Sequence, residues 1–325
     1  MKKILLIYTY MSPFIKKDLE ILKENFDVKT FHYETKGAIL RIRQLIKLFF
    51  KILKTDLVYH WFCYEHALIG TIVSKCLHKK SIIVVGGSEV TYMPEIDYGL
   101  LKNKFAVRMV CFSLKHADKV IAVSNFTKKE ILRFVKPKDL KAIYNGIDPD
   151  VFKPAGKKEN IVVTAGLLSE DRIKLKGLDT FIESAKRLPN IGFVIIGPVD
   201  PNYPKPDKTP NIKFTGYLPQ TKVLPYYQRA KVYCQLSYYE SFGMALAEAM
   251  ACECIPVITK KGSLPEVVGD TGFYVSYGDI NATVNAIRNA LKSDKGKKAR
   301  ERIKKMFLLE KRNRGLVNEI NDLLC

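Results

Sequence analysis

The chain has 325 residues, 47% hydrophobic and 27% charged, a composition that excludes a disordered chain and supplies apolar material for about two cores. Lys and Arg number 54 against 33 Asp and Glu, a net charge of +21, which suits an anionic partner such as a nucleotide phosphate, a nucleic acid or an acidic membrane face. The seven cysteines contain no C-x-x-C pair, and no run of about 18 apolar residues occurs, so the chain reads as free of a disulfide framework, a zinc ribbon and a bilayer span.

The start, Met1-Lys2-Lys3 followed by Ile4-Leu5-Leu6-Ile7-Tyr8, imitates a secretory leader. Its apolar run is short, lacks a small-residue cleavage site and meets Pro13 and Lys16-Lys17, so it reads as a first buried strand. Strands are expected at 3–8, 27–31, 56–60, 81–85, 119–123 and 140–144, with helices at 14–25, 38–54, 65–78, 99–116 and 125–135 between them. Such alternation argues for a parallel sheet covered on both faces. Turn residues and charge then replace the periodicity from Asn145-Gly146 to Lys157-Lys158, which divides a domain 1–153 from a domain 154–325. The second half repeats the pattern, with strands near 160–165, 192–197, 211–215, 231–236, 255–258 and 272–275. Its helices fall near 177–188, 219–229, 242–252, 262–268 and 279–292, and a basic helical tail, about 295–324, has the length to pack back on the first domain. Pro198 to Pro210 carries five prolines and reads as a surface loop. The fold class is therefore α/β: two doubly wound Rossmann-like domains facing a cleft, with ligands at the carboxyl ends of the strands.

Residues 35 to 55 hold six basic residues and no acid. On a helix spanning 38–54, Ile39, Ile42, Ile46, Phe49, Phe50 and Leu53 form one face, and Arg43, Lys47 and Lys51 step by four beside it. Two readings stay open: the face lies on an anionic membrane surface, or it packs on its own sheet with a wet basic edge.

The strongest chemical signal is Tyr239-Glu240-Ser241-Phe242-Gly243-Met244-Ala245-Leu246-Ala247-Glu248. Ser241 or Phe242 would open a helix whose free N–H groups suit a pyrophosphate, and Gly243 would let backbone approach it. Two carboxylates eight residues apart on such a helix are roughly 12 Å apart, the reach from a sugar ring past two phosphates to a ribose. This block resembles the signature of the retaining family 4 glycosyltransferases of the GT-B fold. Four further blocks agree in order: Val123-Ser124-Asn125-Phe126-Thr127; Asn145-Gly146-Ile147-Asp148 with Phe152 and Pro154; Lys176-Gly177-Leu178-Asp179; and Gly262-Ser263-Leu264-Pro265-Glu266-Val267-Val268 with Gly272-Phe273.

The resemblance implies a hexosyltransferase-type enzyme that moves a sugar from a nucleotide-sugar donor to a glycan, lipid-linked or small-molecule acceptor, in glycan biosynthesis. A cytoplasmic protein is expected, in solution or peripheral on the inner face of the cell membrane through helix 38–54, with no cofactor beyond the donor; no metal is expected because no Asp, Glu and His cluster has ligand spacing, and no nucleic acid because aromatic and basic residues do not interleave. Glu240 would hold the transferred sugar, Glu248 the ribose and Lys176 the pyrophosphate, with Phe242, Gly243, Met244 and Gly166 also at the donor. Relatives carry Gly-Arg after the first strand of the second domain; here Leu167 follows Gly166. Arg172 or Lys174, from a reshaped loop 169–176, is expected to supply the missing cation, Arg172 first, with Arg300 as an ordinary surface arginine for comparison. On the acceptor side, the histidine of many relatives is replaced by Gly86-Gly87-Ser88-Glu89, and Gly86, Gly87, Glu89 and His60 are the candidates. Their bland alternative is a tight turn with an exposed Glu89 and a core His60.

Asp148-Pro149-Asp150 matches a D-x-D metal motif but sits in the linker, where it more simply caps turns. Three rivals remain. The first is a sugar-nucleotide epimerase of the same fold, which needs no acceptor, or a phosphorylase, for which no lysine motif for pyridoxal phosphate shows. The second, a non-catalytic sugar-nucleotide binder, would follow from Leu167. The third, a nucleic-acid binder, is suggested by charge alone and lacks interleaved aromatic and basic stacking motifs.

Overall fold

The computed structural model of the chain describes residues 1–34, 37–203 and 209–325; side chains at 38, 39 and 41 are outside that description. Lys36, and Pro204 to Lys208 of the proline-rich stretch, therefore lie outside the described residues. The chain divides into two compact units. One holds Met1–Asn145 with Glu310–Cys325, the other Gly146–Leu309.

The first unit runs β1 Lys3–Tyr8, α1 Pro13–Asn25, β2 Asp27–His32, α2 Ala38–Leu53, β3 Leu57–Trp61, α3 Glu65–Cys76 and β4 Lys80–Val85, then α4 Lys104–His116, β5 Lys119–Ala122, α5 Asn125–Leu132 and β6 Leu140–Ala142. Its six strands are parallel in the order β2-β1-β3-β4-β5-β6. Ile4 to Ile7 and Leu57 to Trp61 are buried along their length. Helices cover both faces, so the central strands read as continuous apolar runs rather than alternating ones. Ser12 caps α1 by accepting from the Ile15 N–H, with Pro13 at the first helical position. The helix expected at 99–116 begins only at Lys104, where Asn103 accepts from the Phe105 N–H; the preceding residues form three short 3₁₀ turns. Gly99 sits there at φ +110°, where a Cβ would strike the Thr91 carbonyl.

The second unit runs β7 Glu159–Ala165, α6 Glu170–Lys176, α7 Leu178–Lys186, β8 Gly192–Ile196, β9 Ile212–Phe214, α8 Gln220–Arg229 and β10 Ala230–Gln235. It continues through α9 Met244–Ala251, β11 Ile255–Thr259, α10 Leu264–Val268, β12 Phe273–Val275, α11 Ile280–Lys292 and α12 Gly296–Met306. Its parallel sheet has the order β12-β11-β10-β7-β8-β9. One core of this unit joins Leu178, Phe181 and Ile287 of the helices to Val162, Phe193, Val232 and Val257 of the strands.

The boundary lies at Asn145/Gly146 rather than at 153, and the reason is local. The Ile147 N–H donates to the Phe307 carbonyl, the Leu309 N–H donates to the Ile147 carbonyl, and Phe152 is buried. Arg300 donates to the carbonyls of Phe152, Pro149 and Ala251. Arg300 is thus a clamp on the linker segment, not an ordinary surface arginine. The expected tail helix is two helices, α12 and α13 (Leu309–Leu324), broken at Phe307-Leu308. In the first unit, buried Arg312 of α13 forks onto Asp18 of α1 at 2.6 and 2.7 Å, and Asp18 also accepts from Tyr59 and Trp61. Glu319 pairs with Lys119 and Lys141.

Candidate functional site

The Glu240 segment follows β10. Gln235, the last strand residue, is buried; its amide donates to Ser237 Oγ at 2.7 Å and to Glu240 Oε2 at 3.3 Å, while Tyr233 donates to its carbonyl oxygen. Thr259 of β11 donates to the Ser237 carbonyl at 2.6 Å, and Ser263 donates to the Glu240 carbonyl through both its N–H and its hydroxyl. Gly262 has φ +60°, and a Cβ there would lie 2.2 Å from the Glu240 carbonyl oxygen, so only glycine lets the 260–264 loop close on this segment.

Lys176 arrives from the opposite side of the strand end. It is the last residue of α6, and Gly177 follows at φ +62° with a would-be Cβ 2.1 Å from the Leu236 carbonyl oxygen. The Tyr238 N–H donates to the Leu175 carbonyl at 2.9 Å. These contacts fix the end of α6 on residues 236–238, and Lys176 Nζ meets Glu240 Oε2 at 2.8 Å, with side-chain exposures of 26% and 16%. Gly166 lies beside the lysine stem, since a Cβ on it would be 3.6 Å from Lys176 Cγ. The structure thus brings together Lys176, Glu240 and Gly166, three residues chosen from sequence.

Helix α9 starts at Met244, not at Ser241 or Phe242. Gly243 takes a left-handed conformation (φ 88°, ψ 60°), and Phe242 turns inward onto Phe307, ring centroids 5.5 Å apart. Glu240 therefore precedes the helix by a loop, and the 12 Å helical spacing does not apply. No side chain caps the first turn of α9, so its N–H groups are not taken by a capping side chain. Glu248 lies about one turn along that helix and is buried. Its Oε1 accepts from the Gln220 amide at 2.8 Å, and burial pushes its carboxyl up from the ordinary 4.5 to about 7, against the pull of that hydrogen bond.

The expected loop 169–176 is the helix α6. Arg172 stands one turn before Lys176 on the same face, with its Nε 3.4 Å from Asp171 Oδ2. Lys174 is exposed and its carbonyl accepts from Tyr277. The ion pair to Glu240 comes from Lys176, not from either of these cations.

The acceptor-side candidates are placed differently from expectation. Glu89 is not exposed: it is fully buried, and its two oxygens accept from the Gly86 and Gly87 N–H groups at 2.8 Å each. Gly86 is close-packed against the protein itself, since a Cβ there would sit 2.2 Å from the Phe62 ring; Gly87 turns the loop at φ +120°. His60 lies in β3, fully buried and stacked on His66 with Nδ1 atoms 3.1 Å apart. Burial lowers both imidazoles, that of His66 to about 3, so the pair is a neutral core element. Asp148 accepts from the N–H groups of Asp150 and Val151, a turn cap, and among the described residues no group of three His, Cys, Asp or Glu could hold a metal ion.

Sequence reasoning missed Gln220, Gln235 and Ser237, none of which carries a local signal. It also missed Lys260 and Lys261, which stand immediately before the glycine of a quoted block. With Tyr274 to Tyr277 they line a cavity of about 470 Å³, and Lys261 Nζ lies over the Tyr238 ring at 4.6 Å.

Comparison with known proteins places this geometry in context. The family described as Glycosyl transferases group 1 matches residues 149–306, and that described as Glycosyltransferase Family 4 matches residues 14–151. A phosphatidylinositol N-acetylglucosaminyltransferase component from Arabidopsis thaliana is 26% identical over 196 residues, 57% of this chain and 44% of that protein. N-acetyl-alpha-D-glucosaminyl L-malate synthase of Bacillus anthracis is 25% identical over 288 residues, 79% of this chain and 72% of that protein. The chain thus spans less than half of the first relative and about three quarters of the second. HepE of Anabaena, solved in complex with UDP and glucose, superposes with a TM-score of 0.80 at 17% identity, covering 99% of this chain and 100% of that one, which establishes the fold.

Proposed function

The chain belongs to the group 1 glycosyltransferases of the GT-B fold, and on that premise we propose that it moves a sugar from a nucleotide-sugar donor to a glycan, lipid-linked or small-molecule acceptor, with retention of anomeric configuration. The observation that carries the reading is the Lys176–Glu240 pair held beside the uncapped start of α9, with the buried Glu248 about one turn along. In this reading the α9 N–H groups and Lys176 take the pyrophosphate. Among the described contacts both partners of the Glu240 carboxylate fall on Oε2, so Oε1 is the atom offered to sugar hydroxyls. Glu248, relieved of its proton, accepts from the ribose diol, and Gln220 orients it. The HepE complex with UDP supports the donor class.

The difficult step is departure of the nucleoside diphosphate, because negative charge grows on the phosphates as the glycosidic bond breaks. Fixed positive charge at that point is the largest catalytic term available. Lys176 moves from Glu240 to the phosphates, Arg172 reinforces it from the same helix face, and the acceptor hydroxyl attacks the face the leaving group vacates, giving its proton to the departing phosphate oxygen as the new glycosidic bond replaces the old. The protein's own cations do this work without a metal or another cofactor. Screening uridine, guanosine and adenosine diphosphate sugars for release of nucleoside diphosphate, with and without acceptors, tests the reading. Conversion of the donor to an epimer with no acceptor present would support the epimerase instead.

A further inference from the structure

The apolar face that the sequence singled out on α2 does not pack on the sheet. Leu48 and Ile52 fill the first unit's core beside Leu5, Ile7, Phe31 and Val58, and buried Gln44 exchanges two hydrogen bonds with the Glu34 backbone, at 2.8 and 3.0 Å. Those contacts fix the helix rotation. The other apolar residues consequently look outward: Ile42, Ile46 and Phe50 are 59%, 54% and 58% exposed, and Leu40, Phe49 and Leu53 are exposed too. At about 100° per residue, positions 42, 46, 49, 50 and 53 share one arc of roughly 100°, and positions 43, 47, 51 and 54 fill the next. From position 43 onward the second arc is basic, Arg43, Lys47, Lys51 and Lys54, with Leu40 at its N-terminal end. Lys51 Nζ lies 5.8 Å from the Phe31 ring centroid.

A helix with a core-facing seam, an outward aliphatic and aromatic stripe and a one-signed basic row is not built for water alone. Residues 35 to 55 contain no acid, so the stripe carries no charge that would repel an anionic surface. We infer that α2 docks the first unit on an anionic lipid bilayer, with Ile42, Ile46, Phe49, Phe50 and Leu53 entering the headgroup–acyl boundary and Arg43, Lys47, Lys51 and Lys54 meeting lipid phosphates. This attachment is independent of the catalytic reading.

Co-sedimentation with vesicles of phosphatidylcholine alone, and of an equal mixture of phosphatidylcholine and phosphatidylglycerol, tests it. The chain sediments with the mixed vesicles, binds neutral ones at least about tenfold more weakly, and is released by salt. The double variant Ile46→Ser, Phe50→Ser loses at least about tenfold in affinity for mixed vesicles. It keeps the wild-type circular dichroism melt, because both side chains are exposed. In Phe50→Trp the added indole emission shifts to the blue on mixing with anionic vesicles, against the constant background of buried Trp61. Wild-type protein left in the supernatant, or a double variant that binds as well as wild type, overturns the inference. So does a dimer in sedimentation velocity that the double variant dissolves, since the face would then belong to a second copy.

Discussion

Replacing Glu248 by Gln keeps the shape of the side chain and removes its charge, and the two consequences have opposite sign. Burial raises this carboxyl from 4.5 to about 7. Between those values the folded chain holds a proton that the unfolded chain has lost, so stability is complete below the unfolded value and falls as pH rises through the folded one. At 1.36 kcal/mol per unit, ionising Glu248 costs the wild type about 3 kcal/mol by pH 8. The variant avoids that cost and still accepts from Gln220. It should match the wild type in thermal unfolding at pH 5 and exceed it at pH 8. Nucleotide binding should go the other way. A carboxylate that accepts from two ribose hydroxyls contributes ~1.5–3 kcal/mol, so loss of the charge weakens the preferred nucleoside diphosphate by roughly ten- to over a hundredfold in titration calorimetry. Wild-type affinity should also fall as pH drops below about 7, beyond the phosphate's own titration, which the variant reports alone. A variant that is less stable than wild type at pH 8, or one that binds nucleotide as tightly, refutes the reasoning.

Lys176→Ala should lower turnover by at least about a hundredfold, through loss of charge-assisted contact with the leaving group, while circular dichroism stays unchanged. Arg172→Ala should reduce turnover far more than Arg314→Ala, an exposed arginine paired only with Glu310 among its recorded ion pairs; equal effects would remove Arg172 from the site. Arg300→Ala is the wrong control, since it should destabilise the second unit by unclamping three carbonyls, as a lowered thermal midpoint would show. Arg312→Ala should cost about 3–5 kcal/mol in denaturant unfolding by stranding the buried Asp18 carboxylate; a loss under about 1 kcal/mol would contradict that account. Because burial lowers His60 and His66, unfolding takes up protons there below pH 6.5, so stability should fall as pH drops from 6.5 to 5, and His66→Asn should flatten that slope.

The alternation of apolar runs and amphipathic stretches was enough to place the twelve described strands, because most are buried. Helix starts were less legible where tertiary contact overrides local pattern. Gly243 and the inward turn of Phe242 delay α9 to Met244, and Gly177 against Leu236 splits a helical stretch at Lys176. The α6 start was readable, since Ser169-Glu170-Asp171 is an acidic helix opening. Lys176 and Glu240 were legible as a motif, but Ser237 meets Thr259 only through strand order and Gln220 meets Glu248 only through helix docking. On α2 the periodicity identified an apolar face without telling which way it points, because Leu48 and Ile52 form a second one behind it. Glu89 and His60, singled out near strand ends as acceptor-side candidates, are buried, one accepting from the Gly86 and Gly87 N–H groups and the other stacked on His66, placements that no local pattern signals.

The account stands most directly on the role of Glu240. The measurement is the rate of nucleoside diphosphate release from a panel of nucleotide-sugars by the wild-type chain and by Glu240→Gln, with matched circular dichroism. The account predicts turnover of at least one donor by the wild type and a loss of at least about tenfold in the variant, the effect of removing one charged hydrogen-bonding partner. Equal rates for the two proteins, or a wild type that neither binds nor turns over any donor, would contradict it.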